Sequence, residues 1–181
     1  MFLRIDKLPV DLPQPTRIDP ESASAVQELL GGRFGEMSTF NNYFTQSMNL
    51  RGKTQLAPYY ELIANIAAEE LGHIQLVSAA INSLLNGPGG STQDGDPLGT
   101  PIHDVTDTGN TYNPHHFIAG GRTALPVDSG GQPWTGQYVF SSGNLILDLL
   151  HNFFLENSAR TNKLRVYQMT SDPASPIQDA R

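Results

Sequence analysis

Glu70 and His73 stand three residues apart inside a segment whose apolar residues repeat at helical spacing. No other feature constrains this chain as much. Ile63, Ile66, Leu76, Val77, Ala80, Ile81 and Leu84 form an apolar stripe, the pattern of a helix with one face turned to a core. Positions i and i+3 share a face, so a carboxylate and an imidazole fall together on the side that should be dry. Burying a charge without a partner is costly. A metal ion removes that cost. Glu-x-x-His projecting into a helix bundle, with single Glu residues on neighbouring helices, is a ligand pattern of dinuclear carboxylate proteins. Alone, the motif is weak: a solvated Glu70 and a hydrogen-bonded core His73 would give the same letters.

The surrounding punctuation makes a bundle. The Glu70/His73 helix is predicted to start between Thr54 and Pro58 and to end at Asn86, where Gly87-Pro88 stops it. About 30 residues give a helix of roughly 45 Å, suited to a four-helix bundle. Upstream, Asp19-Pro20-Glu21 supplies an N-cap, a first-position proline and an acid in the first turn. A first helix is predicted from there to about Asn49, with Gly52 just beyond it. It contains Gly31, Gly32 and Gly35 beside Glu36. Each glycine costs about 1 kcal/mol relative to alanine inside a helix, so another backbone or a ligand is expected to come close there; tight helix packing is the plainer alternative.

A third helix is predicted from near Ser142 to about Thr170, with Leu145, Leu149, Phe153, Leu164 and Val166 on its apolar surface. Glu156 follows Phe153-Phe154-Leu155, an awkward place for an unpaired carboxylate. Lys163 lies seven residues on and nearly on the same face. Both can point inward, unless Glu156 is a surface residue and Lys163 is independent of it.

The remaining segments are irregular. Pro9, Pro13 and Pro15 make residues 1–18 an extended arm or edge strand. Residues 19–181 then form one domain interrupted by a long connection, 87–142, which holds six of the thirteen prolines and most of the glycines. Such a connection between bundle helices is a crossover. Its His103, His115 and His116 read as ordinary loop histidines, since adjacent residues point apart. Asp172-Pro173 and Ser175-Pro176 repeat the grammar of Asp19-Pro20, so 172–181 is expected to begin a fourth helix, cut short at Arg181. Three long helices leave an apolar groove, which another chain or further sequence would fill.

Composition narrows the chemistry. Eleven Lys and Arg against eighteen Asp and Glu give a net charge of −7, which argues against nucleic acid or an anionic membrane as partner. With no cysteine, thiolate metal sites, iron–sulfur clusters, disulfides and cysteine nucleophiles are excluded. No window is long and apolar enough for a membrane span or signal peptide, so a cytoplasmic protein is expected.

Four blocks, in order, carry a resemblance to a known family: Met1 to Asp6, Leu29-Leu30-Gly31-Gly32-Arg33-Phe34-Gly35-Glu36-Met37-Ser38-Thr39, Pro58-Tyr59-Tyr60 through Glu69-Glu70-Leu71-Gly72-His73, and Gly143-Asn144-Leu145 through Phe154-Leu155-Glu156. The chain resembles the manganese catalases over nearly its whole length. These are all-α, ferritin-like four-helix-bundle enzymes that dismute hydrogen peroxide at a dinuclear manganese site. The resemblance implies two manganese ions per subunit. Glu36 and His73 would serve one ion, Glu70 would bridge, and Glu156 would be the terminal ligand of the second. Tyr43, two turns beyond Glu36, would hydrogen-bond to the ligand set, and Lys163 would be the basic residue that some members place beside the site. Glu70 or Lys163 would help relay protons. The family also implies a homo-oligomer, a hexamer, and a capacity for Ca²⁺ near subunit contacts, with Glu61 as candidate ligand against the plainer reading of a solvated helix-start residue.

One departure stands out. The family carries a further His within a second Glu-x-x-His on the fourth helix, and no His follows Glu156 here. His151 is five residues before Glu156 and roughly 140° around the helix, a poor replacement. Two other functions fit the same residues: a di-iron ferroxidase or peroxidase, since Mn and Fe accept the same oxygen and nitrogen donors, and a catalytically inactive structural assembly, as among catalase-like spore-coat proteins.

Overall fold

The first predicted helix is two. The computed structural model describes residues 8, 10–49, 52, 54–87 and 123–170. Within them, α1 spans Pro20–Gly31 and α2 spans Glu36–Met48. The break at 32–35 corrects the expectation of one continuous helix to Asn49, and the glycines explain it. A Cβ on Gly35 would sit 2.7 Å from the Leu29 carbonyl oxygen and 2.8 Å from that of Leu30, closer than real side chains come. A Cβ on Gly31 would run into the backbone of Val127. The close backbone approach inferred from the glycine run is therefore present, made by a returning segment. The break also places Glu36 at the first position of a new helix.

The other helix ends follow the sequence signals. Asp19 accepts from the Ser22 backbone N–H at 2.9 Å and the Ser22 hydroxyl at 2.8 Å, a cap that contributes about 1 kcal/mol. Helix α3 spans Ala57–Asn86. Gly87 follows it with φ of +72°, and only glycine takes that conformation without strain. Helix α4 spans Leu145–Met169, and the Asn144 side-chain oxygen accepts from the backbone N–H groups of Ile146 and Leu147. The extended stretch before α1 is tied to the bundle by the Asp19 N–H, which donates to the Leu84 carbonyl at 2.8 Å. No named strand occurs among the described residues; Val127 and Pro133 form one isolated bridge. His103, His115, His116 and the predicted helix start at 172–181 lie outside the described residues.

Two apolar clusters hold the helices. In one, Ala23, Val26, Leu29 and Leu30 of α1 pack on Ile81, Leu84 and Leu85 of α3 and Val166 of α4. In the other, Tyr43 of α2 packs on Tyr60, Ile63 and Ala67 of α3, with Leu145 of α4 against them. Glu70 and His73 sit on α3 between the two. Burial of a large aliphatic side chain contributes about 2 kcal/mol, so both clusters fix the middle of α3. Helix α4 presents a different face from the one its letters suggest. Leu155, Ala159 and Val166 are buried, while Leu149, Phe153 and Leu164 are exposed, as are Ile146, Leu147, Leu150 and Phe154.

Residues 124–141 return along α1 and α2, held by buried amide side chains. Gln27 donates to the carbonyls of Leu125 and Val127. Asn42 accepts from the Phe140 N–H at 2.7 Å and donates to the Tyr138 carbonyl at 3.1 Å. Gln46 donates to the Phe140 carbonyl at 2.8 Å, and the Trp134 indole donates to the Ser38 hydroxyl at 3.0 Å. These side chains satisfy a backbone that has no sheet partner, the accounting every buried polar group requires.

Candidate metal centre

Three helices bring six polar side chains toward one region. Glu36 comes from the first turn of α2 and Tyr43 from two turns further on. Glu70 and His73 come from the middle of α3, and Glu156 and Lys163 from α4. Glu36 and Glu70 are 2 % and 5 % exposed, values at which an unpartnered carboxylate is untenable. His73 Nδ1 lies 3.1 Å from Glu70 Oε2 and 3.8 Å from Glu36 Oε2. Lys163 Nζ lies 2.7 Å from the other oxygen of Glu36. The Thr39 hydroxyl donates to Glu36 Oε2 at 3.4 Å.

Glu156 stands slightly apart. Its Oε1 accepts from the Tyr43 hydroxyl at 2.8 Å. One donor atom each from Glu36, Glu70 and His73 lies within 4.8 Å of the others, and Glu156 is outside that group. His151 does not approach it. Its ring stacks on Phe140 with centroids 4.7 Å apart, and its Nε2 is buried without a hydrogen-bond partner. Glu61 is exposed on α3 and belongs to no such donor group among the described residues.

The protonation behaviour reflects burial set against close pairing of opposite charges. Burial pushes the Glu36 carboxyl above its ordinary range, against the opposing pull of the Lys163 ammonium. Burial would raise Glu70 too, but hydrogen bonds with His73 and Glu36 and the charges of His73 and Lys163 hold it below the usual range. The hydrogen bond to Glu70 raises His73 against the effect of burial. Burial disfavours the Lys163 ammonium, yet Glu36, Glu70 and Glu156 together raise it. Burial and the Glu156 carboxylate drive the Tyr43 phenol well above its ordinary value, so Tyr43 stays a donor. Groups that perturb one another this way cluster at functional sites.

The donor set suits a hard or borderline divalent cation. Two carboxylates and one imidazole, with no cysteine in the chain, match manganese or iron better than soft metals. Buried acidic oxygens converging on an imidazole nitrogen need positive charge between them, and Lys163 supplies only part of it.

The sequence drew attention to Glu70, His73, Glu156 and Lys163 by spacing, to Glu36 by the glycines beside it and to Tyr43 through the family resemblance, and the fold brings all six into one neighbourhood. It did not point to Gln46 and Asn152. Gln46 Nε2 donates to Asn152 Oδ1 at 3.0 Å and Asn152 Nδ2 returns to Gln46 Oε1 at 2.6 Å, joining α2 to α4 next to Tyr43 and Glu156. The available signal was Ser38, Asn42 and Gln46 at four-residue spacing, a polar stripe with no charge.

A helical bundle with a buried carboxylate–histidine cluster belongs to the ferritin-like class. The sequence profile described as manganese containing catalase matches residues 1–180, and the chain belongs to that family. It is 36% identical over 159 residues to a manganese catalase of Bacillus subtilis, covering 88% of this chain and 56% of that protein. It is 32% identical over 176 residues to a manganese catalase of Lactiplantibacillus plantarum, covering 95% of this chain and 62% of the relative. The fold matches the crystal structure of KatB, a manganese catalase from Anabaena PCC7120, with TM-score 0.76 and 23% identity, over 97% of this chain and 70% of that one. The chain thus spans about 56% to 62% of the length of these curated relatives. No helix among the described residues is long and apolar enough to cross a membrane.

Proposed function

We propose that this chain carries the metal-binding part of a hydrogen-peroxide dismutase, converting two H₂O₂ into two H₂O and O₂ at a dinuclear manganese site. The observation that supports this most is the convergence of Glu36, Glu70 and His73, two of them buried, from two different helices. Glu36, Glu70 and His73 would hold one manganese, and Glu70 with Glu156 would hold the second. When bound, the metal pair supplies two electrons to one peroxide and withdraws two from another.

The chain's own residues have separate tasks. The contact between Glu70 and His73 Nδ1 fixes the ring orientation. Tyr43 fixes Glu156 by its 2.8 Å hydrogen bond. Lys163 Nζ binds Glu36 while its side chain stays 44% exposed, so it can carry protons between the buried carboxylates and water. Burial of Glu36 and Glu70 limits access to small molecules such as peroxide. Assembly as a homo-oligomer, a hexamer, accords with the exposed apolar residues of α4.

The test is O₂ release from H₂O₂ without added reductant, by protein purified from manganese-supplemented cells, with elemental analysis of the same sample. O₂ release with bound manganese supports the reading. Bound iron with no O₂ release would point instead to ferroxidase or peroxidase chemistry on the same scaffold.

A further inference from the structure

The Lys163 ammonium sits on the same carboxylate that faces the metal-binding group. Glu36 offers Oε1 to Lys163 Nζ at 2.7 Å, while Glu36 Oε2 lies 3.8 Å from His73 Nδ1. Lys163 also interacts electrostatically with Glu70 and Glu156. Three carboxylates from three helices therefore share one ammonium. With all three ionised and His73 neutral, two negative charges remain unbalanced, and one divalent cation cancels them. A second divalent cation would have to enter a neutral cluster that still holds an ammonium.

We infer that Lys163 is a built-in substitute cation: it holds the carboxylate cluster together in the metal-free chain and competes with the incoming metal for Glu36. This rests on the metal-binding reading above and adds to it a control on loading. Removing an opposite charge from a buried carboxylate cluster leaves it self-repelling. Removing a like charge beside a metal removes repulsion of that metal. One substitution should therefore move two measurements in opposite directions. A residue that merely packs against the site would weaken both.

The experiment compares the wild-type chain with Lys163→Met and Lys163→Arg, at a pH of about 8 so that the carboxylates stay ionised. Thermal unfolding is measured on metal-free protein, and Mn²⁺ affinity by the electron paramagnetic resonance signal of the free ion. Lys163→Met should melt earlier than wild type when metal-free, yet bind Mn²⁺ roughly tenfold tighter. Lys163→Arg, which keeps the charge, should stay near wild type in both. If Lys163→Met is poorly soluble, Lys163→Gln serves for the same comparison. Wild-type binding with equal or weaker binding by the neutral variant would overturn the inference and leave the metal-binding reading intact, as would an unchanged metal-free melting temperature. Binding by the neutral variant alone would support the inference. No binding by either protein would overturn both.

Discussion

Tyr43 reaches from α2 to α4 and donates its phenolic hydrogen to Glu156 Oε1 at 2.8 Å. The bond joins two helices that also meet through the Gln46–Asn152 amide pair and the Glu36–Lys163 ion pair, so it fixes where Glu156 can point. A hydrogen bond to a charged acceptor contributes about 1.5–3 kcal/mol. Tyr43→Phe keeps the ring in its cluster with Tyr60, Ile63 and Ala67 and removes only this bond. Stability should fall by about 1–2 kcal/mol in denaturant unfolding, and affinity for the second manganese by roughly tenfold in metal titration.

Gln46 and Asn152 are 1% and 3% exposed and exchange two hydrogen bonds. Replacing either by leucine leaves the other without its side-chain partner, at about 1–3 kcal/mol. The double replacement removes both polar groups, so it should cost less than the sum of the singles. Chemical denaturation of the four proteins in a double-mutant cycle gives the coupling, expected at about 1–2 kcal/mol.

Gly31→Ala drives a methyl group into the Val127 backbone. Backbone cannot rotate away as a side chain would, so the segment that follows Leu125 must shift. The expected loss is about 1–3 kcal/mol, with proteolytic nicking in the 124–134 stretch appearing before global unfolding.

The helices were legible because their signals are local. Asp19, Gly87 and Asn144 do at the helix ends what their residue types suggest. The i and i+3 spacing of Glu70 and His73 fixes their common face wherever the helix packs, and Lys163 follows Glu156 by nearly two turns on α4. What the sequence did not yield depends on long-range contact. The break between α1 and α2 needs Val127, nearly a hundred positions away, to explain Gly31. Lys163 was read as a neighbour of Glu156, but its 2.7 Å partner is Glu36 on another helix. The polar stripe of Ser38, Asn42 and Gln46 has meaning only when a strandless backbone lies against it. The outward turn of Phe153, 62% exposed, follows from which face of α4 meets α1 and α2, and periodicity leaves that undecided on a helix apolar on several sides.

His151 gives a pH dependence with a definite sign. Burial holds its imidazole below the ordinary value of 6.5, opposed by Asp148 and reinforced by Arg33. The unfolded chain therefore takes up a proton first as pH falls. This contribution to stability is intact above about pH 6.5 and is lost progressively as pH drops from there through the lower folded-state value. His151→Phe, which retains the stack on Phe140, should flatten that acid limb when melting temperatures at roughly pH 7.5 and roughly pH 5.5 are compared.

Glu70 is the one carboxylate proposed to serve both metals, and its removal tests the central claim most directly. The measurement is manganese per chain, by elemental analysis of wild type and Glu70→Ala from manganese-supplemented cells. Manganese bound at one or more ions per wild-type chain and absent from a folded Glu70→Ala is the predicted result. Wild type without manganese, or Glu70→Ala with undiminished manganese, would contradict it.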